Sequence, residues 1–587
     1  MTSSSAPFDT IVIGGGHNGL VCAAMLGQSG RKVLVLEAGA ATGGAARTEE
    51  FHPGFRASTA HLLNRLHPEV IRALGLKLDS FSTLQPYETP TPTLPGRATG
   101  LARPTDPHQG EGGATVSEYP SPLRGGVRGG GIHKTPTGAG IRKDATGEGD
   151  TPTILLSPTQ SPLILHGAWG ETIEGDISDT ERQAFAAMLA QLIRFAGVLK
   201  PFLARRPPDL TGMDLSEKLG LGGAALSLRR LGTEDMRDFL RMLLMNVHDV
   251  AEEHLTDDRL KGLLAFDATL GSHLGPRSPT SLLGLYYRLA GETGGKAGAQ
   301  MLPAGGMGAV VAAIEAAAAR AGVTVRTDAP VTRILVENGR AVGVQLDDGS
   351  ELRAQTIVSA INPRTTFLDL VGPSELDTGV VRKAQNIRMA GDVAKLHLAL
   401  DRVPEFTGVP ATALRGRLLI APSSEQVERA FNPAKYGAFS PEPVMEITLP
   451  SLSDPALAPD GACVLSAVVQ YAPYALKEGW ARGKPKFLKA ILAVLERQAP
   501  GIGKSIRHAE LLTPADIEAR YLMPGGHWHH GELQADQMLM SRPFFGAEGY
   551  ATAIDGLWLA GAGSHPGGGV SGAPGMNAAR AILKGRG

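Results

Sequence analysis

Residues 9–38, DTIVIGGGHNGLVCAAMLGQSGRKVLVLEA, leave this chain few ways to fold. Ile11, Val12 and Ile13 form an apolar run of strand length, Gly14 to Gly19 a turn, and Leu20, Val21, Ala23, Ala24 and Leu26 the packed face of a helix. A second apolar strand, Val33 to Leu36, ends on Glu37. Gly14, Gly16 and Gly19 therefore stand in G-x-G-x-x-G register inside a strand–turn–helix–strand unit, the setting that turns a bare glycine pattern into a dinucleotide-binding signal.

Each glycine answers a geometric demand. Gly14 permits the sharp turn, Gly16 lets a pyrophosphate approach the backbone, and Gly19 lets the helix lie against the strand. The phosphate charge then rests on free N–H groups at the helix start, where His17 and Asn18 stand. Glu37, about 20 residues on, suits the ribose hydroxyls and repels a 2′-phosphate, so the adenosine belongs to FAD or NAD rather than NADP. Ala38 follows it into the same site.

At 587 residues with 42% hydrophobic content the chain can fill more than one domain core. A formal net charge of -1 gives no electrostatic reason to bind nucleic acid. The two cysteines, Cys22 and Cys463, form no C-x-x-C pair, which removes dithiol exchange and cysteine-based zinc sites. MTSSSAPFDT has neither an apolar h-region nor an arginine, and no uninterrupted apolar run is long enough to span a bilayer. The expectation is a cytoplasmic protein, at most peripheral to a membrane; its oligomeric state stays open.

Further along, Thr42 to Thr48 holds a second glycine pair, Gly43 and Gly44, with Arg47 as a charge for phosphates, and residues 51–57 read as one strand. Residues 88–153 are rich in Pro, Gly, Thr and Arg without periodicity and read as a disordered low-complexity insertion. Helical periodicity returns over 180–203, 236–248 and 282–289, an apolar region suited to a cap over a greasy substrate. After Gly305, Gly306 and Gly308 an Ala-rich helix leads to strand-like runs 323–327, 331–337, 341–346 and 351–353, turned at Asn338-Gly339 and Asp348-Gly349, before strand 355–360. His527, His529 and His530 crowd together, but their spacing fits no helical pair and no metal site is expected. Finally, an apolar strand near Leu559 runs into Gly561 to Gly572 and a helix with Pro574 in its first turn, a place for a flat or anionic ligand.

Taken together, GGGHNGLVCAAML, TGGAARTEEF, LPAGGMGAVVAAIEAAA, TIVSAINPRTTF and LAGAGSHPGGGVSGAPGMNAA resemble the phytoene desaturase-like flavoproteins, within them the pyridine nucleotide-disulfide oxidoreductase domain-containing 2 subgroup. The resemblance covers the chain except the insertion. It implies an α/β fold: a Rossmann-like FAD-binding domain with a β-meander crossover (1–87, 301–370, 540–587) and a mixed α+β substrate domain (154–300, 371–539). It implies that Gly14, Gly16 and Gly19 hold the diphosphate and Glu37 the ribose. Gly43, Gly44 and Arg47 then flank the ribityl diphosphate, and Val331 meets the adenine through its backbone. The loop from His565 through Gly568 and Gly569 to Val570 lies by the isoalloxazine. Ala562 follows Gly561 where related flavoproteins often carry an acid, so ribityl recognition falls to the backbone or another group.

The function so implied is an FAD-dependent oxidoreductase acting on carbon–carbon bonds of a hydrophobic, isoprenoid or lipid-like substrate. His565 is the first candidate base and His530 the second. Two alternatives stand beside it: a redox-neutral isomerase that recycles reduced FAD, and an interaction protein that uses FAD as a structural ligand.

Overall fold

The computed structural model describes residues 8–63, 65–77, 151–208, 215–293, 295–303 and 305–585. The low-complexity segment lies outside the described residues except at its end, where Thr153 already opens the strand Thr153–Leu156. The boundary moves because Ile154, Leu155 and Leu156 are all buried in sheet cores.

The opening strand Thr10–Ile13 sits in the middle of a five-stranded, wholly parallel sheet. The order is Thr324–Arg326, Val33–Leu36, Thr10–Ile13, Thr356–Ser359, Leu557–Leu559. The three inner strands and the edge strand Leu557–Leu559 are buried throughout, as their unbroken apolar runs require in a sheet covered on both faces. Helix His17–Gln28 crosses over the sheet and packs against the helices Gly306–Arg320 and Ala573–Leu583. The last contact is close: a Cβ on Gly575 would stand 2.0 Å from the Asn18 carbonyl oxygen.

The β-meander comprises Val331–Glu337, Arg340–Leu346 and Glu351–Arg353, all antiparallel. Asn338 and Gly339 both take positive φ, as their two-residue turn demands. The run at 323–327 does not join it. Thr324–Arg326 extends the parallel sheet beside Val33–Leu36, and left-handed Asp328 with Pro330 separates it from the meander. Two further expectations need correction. Residues 51–57 are not one strand but parts of a hairpin, Thr48–His52 and Phe55–Ser58, turned at Pro53-Gly54 where Gly54 has a φ of 78°. The 236–248 helix is two helices, Thr233–Met242 and Val247–His254, because Asn246 caps the second by accepting from the Asp249 N–H at 2.8 Å.

The second sheet has eight strands, from Ile506–Leu512 at one edge through Val393–Leu400, Cys463–Gln470, Met445–Thr448, Arg417–Ile420, Thr153–Leu156 and Leu163–His166 to Thr172–Glu174. Side chains alternate across it. Leu396, Leu398, Leu418, Ile420, Met445, Ile447, Leu465 and Ala467 fill an apolar core on one face. Their neighbours Lys395, His397, Arg417, Glu446 and Ser466 fall on the other face, as the two-residue period requires. Leu155, Leu163 and Leu419 meet a helical layer there that includes Asp258–Thr269, Leu282–Leu289 and Asp179–Ala204. The stretch Asp179–Phe202, although interrupted by charges such as Glu181, Arg182 and Arg194, is long and apolar enough by composition to cross a membrane. Its Phe185, Met188, Leu192 and Phe195 are packed into the helical core instead.

Candidate active site

A cavity of about 410 Å³, in the size range of small-molecule sites, runs from the first glycine turn to the helical layer. Gly14, Gly16, His17, Asn18, Glu37, Ala38, Gly43, Gly44 and Val331 line one end, and Ala562, Gly568, Gly569, Val570 and His530 stand further along its wall. Thus segments far apart in sequence meet at one cavity.

The glycines divide the labour. Gly14 has a φ of 97°, and a Cβ on Gly19 would stand 2.1 Å from the Gly14 carbonyl oxygen, so both serve the turn. A Cβ on Gly16 would meet no protein atom within 4 Å, which leaves its surroundings free for a ligand. No side chain caps the helix that begins at His17, and the buried Asn18 Oδ1 has no hydrogen-bond partner. Glu37 accepts from the Gly15 N–H at 2.7 Å and the Gly39 N–H at 2.9 Å, which fixes its carboxylate on the cavity wall with lone pairs left for ribose hydroxyls. These features fit a dinucleotide: uncapped N–H groups for the diphosphate, open space at Gly16, and a fixed acid for the ribose.

The C-terminal glycine loop is tied to that turn. His17 Nε2 donates to the Gly569 carbonyl at 3.1 Å, and the Tyr287 hydroxyl donates to the Gly568 carbonyl at 2.8 Å. Burial pushes His17 down to about 4, against the opposing pull of the Gly569 bond, so its ring is neutral at physiological pH.

Three expected residues stand elsewhere. His565, expected at the flavin, does not line the cavity: it is buried and its Nε2 donates to the Phe202 carbonyl at 2.7 Å, in a helix 363 positions earlier. Burial holds its ring down to about 4. Arg47 does not line the cavity either: it pairs with Glu49 at 2.7 Å, donates to the Ala41 carbonyl at 3.0 Å, and reaches only the ring of the cavity residue Tyr521, 5.8 Å away. Gly561 serves packing, since a Cβ there would lie 2.5 Å from the Ala360 carbonyl oxygen.

His530 does line the cavity, with His529 beside it, and the Nδ1 of each is buried without a hydrogen-bond partner. Burial lowers His530 to about 4, helped by Arg542 and His17, and takes His529 well below its ordinary value, helped by His527 and Arg542. Neutral rings of this kind accept hydrogen bonds but hold a proton weakly. Among the described residues no group of three or more His, Cys, Asp or Glu is placed to hold a metal ion. Both cysteines are free and buried, and burial raises Cys22 to about 12 and Cys463 to about 11.

Beyond the glycine loop the wall carries charges that the motifs do not announce. Asp267 and Glu446 both hold the buried Arg417, whose guanidinium they keep charged although burial alone would lower its proton affinity. Lys395 Nζ lies 2.6 Å from the Nδ1 of His61, a cavity residue. Burial brings Lys395 down to about 7, with Glu446 opposing. Arg65, Arg288 and Trp528 complete this end. The signal in sequence was a single charge inside an apolar run, as in LLAFDATL, LYYRLAG and VAKLHLAL.

A family model described as flavin containing amine oxidoreductase matches residues 171–583, and one described as NAD(P)-binding Rossmann-like domain matches 12–74. Pyridine nucleotide-disulfide oxidoreductase domain-containing protein 2 of Mus musculus is 32% identical over 603 residues, spanning 98% of this chain and 93% of that protein. Phytoene desaturase (neurosporene-forming) of Cereibacter sphaeroides is 28% identical over 416 residues, 67% of this chain and 74% of that one. In fold, an oxidoreductase from Methanosarcina mazei is similar with a TM-score of 0.54 at 15% identity, over 98% of this chain and 99% of that one. With that family model matching residues 171–583, more than half of its length, the chain belongs to the flavin containing amine oxidoreductase family and is an FAD-dependent oxidoreductase.

Proposed function

We propose that the chain is a dehydrogenase of the desaturase kind, which takes a hydride equivalent from a carbon chain of a hydrophobic substrate. The observation that carries this reading is the cavity wall past the glycine loop, where Leu270, Val468, Ile517, Met523, Trp528 and Leu533 supply an apolar surface. Similarity to a relative named phytoene desaturase supports it. FAD, when bound, supplies the two-electron acceptor.

The chain's own residues do the rest. The glycine turn and Glu37 orient the dinucleotide, and the tie between His17 and Gly569 holds the second loop against the first. Tyr287 fixes that loop from the substrate side. Neutral His529 and His530 accept hydrogen bonds without adding charge. Lys395, behind His61, has a proton affinity matched to neutral pH and is the better candidate to take up the proton released when a C–H bond is broken.

The test is anaerobic. Holoenzyme mixed with unsaturated isoprenoid or long-chain lipid compounds should lose its visible flavin absorption, and the product should contain one more carbon–carbon double bond. Bleaching by primary amines alone, with aldehyde as the product, would replace this reading with amine oxidation.

A further inference from the structure

Two arginines on the cavity wall fall short of the partners that buried guanidinium groups require: Arg65 has none among the described residues, and Arg288 only a carboxylate that it shares. Arg65 lies with its guanidinium carbon 3.5 Å from the centre of the Tyr287 ring and makes no hydrogen bond or ion pair among the described residues. Arg288, the next residue after Tyr287, is 8% exposed, and its Nε and Nη2 are buried without a hydrogen-bond partner. The carboxylate nearest to it, Asp267 at 3.3 Å, is already engaged by both terminal nitrogens of Arg417.

Charge around this end is unbalanced. Among the described residues Arg65, Arg288 and Arg417 face only Asp267 and Glu446, and Lys395 adds a further amine. The histidines contribute no compensation, being neutral. Burial lowers the proton affinity of both Arg65 and Arg288, and Arg65 adds its repulsion to Arg288. Both remain cations at physiological pH, because an arginine stays protonated there even when its affinity falls. A buried cation without a counter-ion is unfavourable unless a ligand brings one.

We propose that the hydrophobic substrate carries an oxyanion head group, a carboxylate or a phosphate ester, and that Arg65 and Arg288 bind it. A guanidinium offers parallel N–H donors that match either group. The same surplus of positive charge disfavours a protonated amine, the substrate that the family description would suggest. This inference rests on the reading of the substrate as hydrophobic.

The test uses FAD-loaded protein under anaerobic conditions, with hexadecanoic acid, hexadecyl phosphate and hexadecanol as probes. Binding is read from the shift of the flavin spectrum and from the thermal midpoint, not from turnover. At least one anion should bind tenfold or more tightly than the alcohol, as charge-assisted hydrogen bonds predict; the tighter of the two identifies the head group. Arg65→Gln and Arg288→Gln should each erase that preference with alcohol binding and FAD content intact. Arg65→Lys and Arg288→Lys keep the charge and should retain part of it, which separates head-group binding from a folding defect. Equal binding of all three probes to the parent protein overturns the inference alone. So does an anion preference that survives both glutamine variants, or an Arg65→Gln protein that loses FAD instead. Failure of every probe to bind overturns the hydrophobic reading as well.

Discussion

His17 Nε2 and the Gly569 carbonyl, 552 positions apart, are joined by a 3.1 Å hydrogen bond that closes one glycine loop on the other. Both residues line the cavity. His17→Ala removes the donor and leaves a carbonyl without its partner, so FAD should bind about five- to tenfold more weakly, as the loss of a typical hydrogen bond of about 1 kcal/mol predicts. Titration of flavin fluorescence measures this. Unchanged affinity would show that the loops hold together without the tie.

Gly16 and Gly19 should fail in different ways. Gly19→Ala places a methyl 2.1 Å from the Gly14 carbonyl oxygen, so the turn must move and the protein should lose thermal stability with or without flavin. Gly16→Ala meets no protein atom within 4 Å, at a φ of −66° that alanine accepts. It should fold with the parent's apoprotein thermal midpoint yet bind FAD at least about tenfold less well, because the methyl occupies the space needed for close backbone approach of the diphosphate. Equal FAD affinity in Gly16→Ala would contradict the placement of the diphosphate at this turn.

His565 should prove structural. Replacing it with alanine leaves the Phe202 carbonyl without its donor and opens space in the interior, at a cost of about 1–3 kcal/mol. Denaturant unfolding should detect that loss, while the rate of anaerobic flavin bleaching should stay within about twofold of the parent, far short of the 10²–10⁴-fold contributed by a general base. A large fall in bleaching rate with stability intact would restore His565 to the chemistry.

Lys395 sets a pH dependence. Its folded value of about 7 lies below its ordinary 10.5 because burial disfavours the charged amine. Below about 7 the folded and unfolded chains both carry the proton, and the folded chain bears the whole desolvation cost. Between about 7 and 10.5 only the unfolded amine is still protonated, so this group adds stability as pH rises. Lys395→Met should remove that slope, and its thermal midpoint should gain on the parent's as pH falls from about 10.5 to about 7 and hold that gain below it. A difference that does not vary with pH would mean that Lys395 titrates at its ordinary value.

The cofactor end was legible because its information is local. Gly14, Gly16, Gly19 and Glu37 fall within one strand–turn–helix–strand unit, and their roles follow from backbone geometry alone. The charged end was not. Arg65, Asp267, Arg288, Lys395 and Glu446 come from five separate segments, and no spacing rule links them. Only the second sheet brings Lys395 and Glu446 to one face, by placing them out of step with the apolar core. His565 misled for the opposite reason: it neighbours the right loop in sequence, but the direction of its side chain was decided by Phe202, on a distant helix. The turn at Pro53-Gly54 carries its own local signal, but it sits inside a run whose flanking residues are all strand-compatible.

The parallel sheet also has a bearing on how the protein is made. Thr10–Ile13 lies beside Thr356–Ser359, which in turn lies beside Leu557–Leu559. A ribosome therefore releases the first glycine turn long before the strand that covers its flank, and the strand beyond that about 200 residues later still. Until then the nascent Thr10–Ile13 strand presents an unsatisfied row of backbone donors and acceptors, the kind of edge that recruits neighbouring chains. Productive folding in the cell thus depends on shielding that edge, and the yield of intact protein should rise with chaperone supply during translation.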